Sequence, residues 1–389
     1  MRPLEGRKIW FVGIGGAGLS SYAYLARAWG AVVGGWDRVE TPYLRRLDGV
    51  EIDISADPVG RKDWEVVVST AYAGSVDGRS RADFLAELVS LRRAIVVAGA
   101  HGKTTTSGMI AFVLQELGLE PAWLIGGEIP QLGGNAGAGE GWLVVEGDES
   151  DRTVEHLRPE IAVVTNVELD HHSTFASKAE LRDLFDRWLA EIPRVVRGWE
   201  LEPVDFDLAV AGEHNRRNAA AALAALELAG VLRADAERSL AGFAGAGRRF
   251  ELVGEVRGVT VVDDYAHHPS EISATISAAR ERGRGRVLVL FQPHLYSRTR
   301  HLAREFGEAL SAADAACVTE IYRAREEPVP GVSGKLVLDA LRPGLRAAWA
   351  PTVEDAVRIV RSWAREGDLV LTVGAGDVER AGPLLLEQL

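Results

Sequence analysis

Residues 99–106 read Gly99-Ala-His-Gly102-Lys103-Thr104-Thr105-Thr106, directly after the apolar run 94–98 and ahead of a helix-like stretch over 109–119. A strand that turns through glycines into a helix opening Gly-Lys-Thr aims several backbone N–H groups and a helix N-terminus at one point, which is how polyphosphate is held. Lys103 can then reach terminal phosphates as a point charge, and the Thr104 hydroxyl can ligate Mg2+. The implied ligand is ATP or GTP. The full phosphate-loop pattern asks for a glycine five positions before Gly102, where Val97 stands, so the loop is a shorter variant with Gly99 as its other glycine.

Two acidic segments follow strand-like runs: Glu146-Gly-Asp148-Glu149-Ser-Asp151, and Thr165-Asn166-Val-Glu168-Leu-Asp170-His171-His172. Mg2+ takes one or two protein carboxylates together with phosphate oxygens, and Glu146, at the first position past four apolar residues, is the better placed acid. Glu149 and Asp151 read equally well as solvated loop residues. Further on, Gly212-Glu-His214-Asn215-Arg-Arg-Asn218 opens an alanine-rich helix. Asn215 and Asn218, three apart, share a helical face and make a donor and acceptor pair suited to a base edge, or serve only as caps. Gly247-Arg248-Arg249-Phe250 and Asp263-Asp264-Tyr265-Ala-His267-His268-Pro269 complete the polar set. Two aspartates with two histidines suggest a metal, but adjacent residues of one turn rarely converge on an ion, and the carboxylates fit ribose hydroxyls as well.

A glycine turn also opens the chain. Gly13-Ile-Gly15-Gly16-Ala-Gly18 follows a strand-like run, and Asp37 closes the next one. This is a dinucleotide fingerprint with an acid placed for a ribose hydroxyl, although any diphosphate-bearing nucleotide satisfies the same backbone geometry.

The elements that must position these residues alternate strand and helix throughout, the pattern of parallel sheets with crossover helices. Strand candidates are 9–12, 31–34, 66–69 and 95–98; then 142–145 and 161–165, with helices over 178–189 and 218–229; then 259–263, 286–291, 316–320, 347–349 and 369–373. The fold class is α/β in three domains, 1–97, 98–246 and 247–389, the second border marked by the glycine-rich stretch 241–247. A length of 389 residues and 47% hydrophobic content suit several cores. A formal net charge of −12 argues against general nucleic-acid or acidic-membrane binding, and no run approaches the roughly 20 apolar residues that span a bilayer. One cysteine, Cys317 in a strand-like run, excludes an internal disulfide and suits a reducing cytoplasm. The N-terminus lacks a signal-peptide layout, and the expected location is cytoplasmic.

Taken in order, these motifs with Phe291-Gln-Pro-His294 resemble the Mur ligase family from about residue 8 to residue 378. The resemblance implies a Rossmann-like domain for a UDP-sugar, a central ATPase domain and a Rossmann-like C-terminal domain for an amino acid. It implies an ATP- and Mg2+-dependent ligase of peptidoglycan precursor synthesis that joins L-alanine to the carboxylate of UDP-N-acetylmuramate through an acyl phosphate, acting as a monomer or weak homodimer.

By the same resemblance, Gly99, Gly102, Lys103, Thr104 and Thr105 hold the phosphates, and Thr104, Glu146 and His171 hold Mg2+. Asn215 and Asn218 read adenine and Asp264 the ribose. Lys103, His171 and Arg249 form the catalytic set, His294 and Arg298 handle the substrate carboxylate, and Gly15, Gly16, Gly18 and Asp37 hold the UDP moiety. No residue stands out as the base for the amine. Departures fall on the acceptor side. The segments between His171 and Gly212 and after Ser69-Thr70-Ala71 are short, Arg152-Thr153 replaces a Ser-Phe-like pair, and Leu295 replaces an arginine. A paralogue acting on another amino acid, peptide or UDP-sugar acid, or an ATP-binding homologue without ligation, are the alternatives.

Overall fold

The computed structural model describes residues 2–170, 174–282, 285–324 and 326–389. Runs such as Ala94–Ala98, Val287–Phe291 and Leu369–Val373 are buried at every position, as expected of strands covered on both faces of a parallel sheet. They belong to three sheets.

The first sheet has the order Glu51–Ile54, Val32–Asp37, Lys8–Val12, Glu65–Val68, Arg79–Ser80, all parallel. The second has the order Arg194–Arg197, Ile161–Val164, Ala94–Ala98, Leu143–Glu146, Ala122–Leu124, Ala136–Ala138, parallel except for the last pair. In the third, Glu251–Val256 runs antiparallel to Val259–Asp264, followed in parallel by Leu369–Val373, Val287–Phe291, Ala315–Thr319 and Arg346–Ala350. The α/β class in three predominantly parallel sheets agrees with the sequence pattern. One grouping does not. Ala94–Ala98, which the alternation assigns to the first set, lies at the middle of the second sheet, because a strand after a crossover helix reads alike whether it extends one sheet or founds the next.

By packing, the chain forms two compact units. One comprises Met1–Val167, Ala179–Phe206 and Asn218–Phe243, and carries the first two sheets. The other comprises Glu168–Lys178, Asp207–Arg217 and Ala244–Leu389, and carries the third.

Short crossovers leave the first sheet with an unusual cover. Between Ile54 and Glu65, and between Val68 and Arg79, the described chain has no α-helix. The face bearing Trp10, Val12, Trp36, Val66 and Val68 packs instead against Trp64, Tyr72 and Val76. Trp10 meets Trp64 edge-on at 6.0 Å and Trp36 meets Tyr72 at 5.0 Å. The Arg61 guanidinium lies over both Trp10 and Trp64, at 5.1 and 4.6 Å. The indole N–H groups of Trp10 and Trp36 find acceptors, the Val59 carbonyl and Ser55 Oγ. Large rings thus bury the apolar face that a crossover helix would otherwise cover.

Candidate active site

In the first unit, Ala94–Ala98 delivers the loop 99–102 to the helix Lys103–Glu116. Gly102 is the N-cap residue, with φ +79, and a Cβ there would lie 2.3 Å from Asn218 Oδ1, so only glycine fits the turn. Thr165 and Asn166, at the end of the neighbouring strand, hold the loop from the side. Thr165 Oγ1 donates to the His101 carbonyl at 2.6 Å, while Asn166 accepts from the His101 N–H at 3.0 Å and donates to its carbonyl at 2.9 Å.

Lys103 Nζ donates to the carbonyls of Gly99 at 2.6 Å and Ala100 at 3.3 Å, and pairs with Glu149 Oε1 at 3.0 Å. Burial alone would lower its pKa. Glu149, Asp148 and Glu146 outweigh that and hold the ammonium above its ordinary range. In the same field burial works to raise the Asp148 carboxyl, but Lys103 and the Ser150 hydrogen bonds keep it below its usual value.

Thr104 Oγ1 stands 3.1 and 3.0 Å from the two Glu146 oxygens, and Glu146 Oε2 also accepts from the Gly126 N–H at 2.7 Å. A hydroxyl and a carboxylate at the mouth of a phosphate loop are hard oxygen donors of the kind Mg2+ prefers, so the residues present fit that ion. Thr105 is buried in the first turn of the same helix. The expectation for Glu149 as a solvated loop acid does not hold: it is fully buried. Its signal was available, since a buried lysine requires a charged partner.

At the carboxyl end of the first sheet, Gly15 N–H donates to Asp37 Oδ2 at 2.7 Å, and Arg38 N–H donates to Asp37 Oδ1 at 2.7 Å. Thr41 Oγ1 closes on the Gly15 carbonyl at 2.7 Å. Asp37 therefore braces the glycine turn as well as bordering it. Gly16 is the N-cap of the helix Ala17–Ala28, with Gly18 in its first turn.

The second unit places the remaining described residues except Asn218, which belongs to the first. Arg248 and Phe250 both have positive φ, near +55, and set a tight turn in which Arg248 Nε pairs with Asp263 at 2.8 Å. Arg249 Nη1 reaches Glu271 Oε1 at 3.2 Å, and its guanidinium lies 5.3 Å from the Tyr265 ring centre. Asp264 accepts from the N–H groups of Phe250 at 2.8 Å and Ala266 at 2.7 Å, clasping two turns together. Burial pushes its pKa up to about 6, against the pull of Arg249 and those two N–H groups.

Burial likewise pushes His267 down to about 4 despite Glu271 and Asp170 nearby. Glu271, overlooked in the sequence, caps the helix Pro269–Arg282 by accepting from His267 and His268 N–H groups at 2.9 and 3.2 Å. The Pro269-Ser-Glu271 spacing is a helix-start signal that could have found it. The side chains of Asp263, Asp264 and His267 each have separate partners, Thr372 Oγ1 among those of Asp263. Asn215 donates to the Ala211 carbonyl at 2.7 Å, whereas the Asn218 amide packs against Gly102, so the two amides serve different neighbours. His294 and Arg298 do come together, at 3.0 Å. His171 lies outside the described residues.

Two domain models match the sequence: the Mur ligase middle domain over residues 97–193 and the Mur ligase glutamate ligase domain over residues 248–376. A UDP-N-acetylmuramate--L-alanine ligase of Rubrobacter xylanophilus is 40% identical, the match covering 98% of this chain and 100% of that one. The chain belongs to the Mur ligase family. It is an ATP-dependent, ADP-forming ligase by that membership. A UDP-N-acetylmuramate--L-alanine ligase of Streptomyces coelicolor is 39% identical, with 97% of each chain covered. The crystal structure of a UDP-N-acetylmuramate-alanine ligase of Thermotoga maritima superimposes with a TM-score of 0.79 at 27% identity, over 98% of both chains. A murein peptide ligase of Psychrobacter arcticus shares the fold, with a TM-score of 0.66 at 24% identity over 98% of both chains. The match to the Rubrobacter relative extends over 448 aligned positions, against 389 residues in this chain, so that relative carries insertions that this chain lacks. No helix among the described residues is long and apolar enough to cross a membrane.

Proposed function

We propose that this Mur ligase joins L-alanine to the lactyl carboxylate of UDP-N-acetylmuramate, with ATP converted to ADP and phosphate. The observation that carries the reading is the 40% identity, along essentially the whole of both chains, to a relative named for that reaction. The carboxylate oxygen attacks the γ-phosphorus and ADP leaves. The amine nitrogen then attacks the acyl carbon, phosphate leaves and the amine gives up a proton.

Lys103 and the N–H groups of the loop hold the phosphates, and Arg249 supplies a further cation for the transferred group. Thr104 and Glu146, with His171 by family resemblance, hold Mg2+, which when bound neutralises phosphate charge. By the family resemblance Asn215 and Asn218 read the adenine and Asp264 the ribose, Gly15, Gly16, Gly18 and Asp37 take the UDP moiety, and His294 with Arg298 serves the reacting carboxylates. The work divides by sheet into UDP-sugar, ATP and amino-acid domains, with borders before Ala94 and near residue 246. The reading includes a cytoplasmic location and a monomer or weak homodimer.

The deciding experiment measures phosphate release from ATP and Mg2+ with UDP-N-acetylmuramate, with and without L-alanine, and weighs the sugar product. Alanine-dependent release with one alanyl residue added is the expected result. Release without that product would favour a second reading, in which the same chemistry serves another amine or acid; the trimmed segments between His171 and Gly212 and after Ser69-Thr70-Ala71, with Leu295, speak for it, and a panel of amino acids and peptides in the same assay separates the two.

A further inference from the structure

Two arginines stand side by side at 248 and 249, and their surroundings give them different tasks. Arg248 is committed to the fold: Nε pairs with Asp263 at 2.8 Å, Nη2 donates to the Gly374 carbonyl at 2.8 Å, and Nη1 meets Glu379 at 3.2 Å. Arg249 lays its guanidinium over Tyr265, 5.3 Å from the ring centre, and its Nη1 donates to Glu271 Oε1 at 3.2 Å. The tyrosine is itself tied to the turn, because its N–H donates to the Arg248 carbonyl at 2.7 Å.

Glu271 divides its oxygens between two partners. Oε2 accepts from the N–H groups of His267 at 2.9 Å and His268 at 3.2 Å, just ahead of the helix Pro269–Arg282. A glutamate in the first turn that reaches back in this way caps the helix, and the backbone it grips fixes the plane of its carboxylate. Oε1 is thereby aimed at Arg249. The Glu271 side chain is 10% exposed, so little water screens its pull on the guanidinium.

An arginine on its long stem loses rotamer freedom when it engages an anion, and loses less when the guanidinium is already oriented. We infer that Glu271 is a positioning residue for the reaction, holding Arg249 in the pose from which the cation meets the transferred phosphoryl group. The helix cap anchors that hold, and the Tyr265 ring is its second support. The identity of the phosphoryl group rests on the ligase reading above; the hold on Arg249 does not.

Two measurements on the full chain test this. Glu271→Gln keeps a carbonyl oxygen for the two N–H groups and turns an amide donor toward Nη1, so it spares the cap and releases the arginine. It should lower turnover by at least about tenfold, but by less than about twofold where Arg249→Met is already present. An equal loss in both backgrounds, or none in either, would overturn the inference. Nitrogen-15 relaxation at Arg249 Nε, assigned by its loss in Arg249→Met, reads the hold without activity. That group should be as ordered as the backbone in the wild type and mobile in Glu271→Gln, and equal order in the two would overturn the hold. Glu271→Asp, whose carboxylate stops a methylene short of Nη1, should loosen the same resonance and serves where the glutamine variant does not fold. If the wild type forms no alanyl product, the ligase reading fails while the relaxation measurement still decides the hold.

Discussion

Lys103 and Glu149 are joined across 3.0 Å with the glutamate side chain 1% exposed and the lysine 15%. Truncating one member of such a pair strands the other, at a cost of about 3 kcal/mol or more. Lys103→Met should therefore lower both the melting temperature and turnover, the latter by at least about 100-fold. Glu149→Gln added to it should recover much of the stability and none of the turnover. A double-mutant cycle in thermal melts, alongside phosphate release, checks both statements.

Thr104 and Glu146 make a separate prediction, because Glu146 Oε2 also accepts from the Gly126 N–H. Glu146→Gln keeps a carbonyl oxygen for that contact and loses the charge. The fold should stand, while the Mg2+ concentration giving half-maximal turnover should rise by at least about tenfold. Titrating Mg2+ at saturating ATP is the measurement, and an unshifted midpoint would remove Glu146 from the metal set.

Gly102→Ala forces a side chain into a left-handed turn, at about 1–2 kcal/mol, and against the Asn218 amide. Loss of nucleotide affinity in calorimetry and a lower melting temperature should follow together. Adding Asn218→Ala should return part of the stability, since it removes the clash and leaves the backbone strain.

Two buried groups of the second unit should oppose each other in acid. His267, held near 4 when folded against an ordinary 6.5, binds fewer protons in the folded than in the unfolded chain between those values, so its contribution to stability grows as pH rises from about 4 to 6.5. Asp264, raised from 3.8 to about 6, binds more protons when folded, so its contribution falls as pH rises from about 4 to 6. Asp264→Asn should therefore expose a rising stability between pH 4 and 6, and His267→Gln a falling one. Each slope should be at most about 1.4 kcal/mol per pH unit in chemical denaturation.

What could be read from sequence followed locality. Lys178–Leu189 and Leu369–Val373 match the elements deduced from periodicity, because one amphipathic face or one fully apolar run specifies each. The phosphate loop was legible because Gly102, Lys103 and Thr104 are consecutive and the strand before them is apolar. The strands Glu51–Ile54 and Ala136–Ala138 escaped notice: one is partly exposed and acidic, the other is three small residues whose pairing with Ala122–Leu124 decides its state. Glu149, Glu271 and Asp170 were harder. Their roles come from Lys103, Arg249 and Arg298, and all three partners lie 22 or more residues away in the chain.

The aromatic cover of the first sheet has an optical consequence. Trp36 immediately precedes Asp37, whose carboxylate holds the Gly15 turn, and its ring packs on Tyr72 in the same layer as Trp10 and Trp64. A ligand that engages the turn perturbs that layer through a single peptide bond. Intrinsic fluorescence thus gives this module a label-free readout of occupancy, and Trp36→Phe isolates the share of the signal that originates beside the glycine turn.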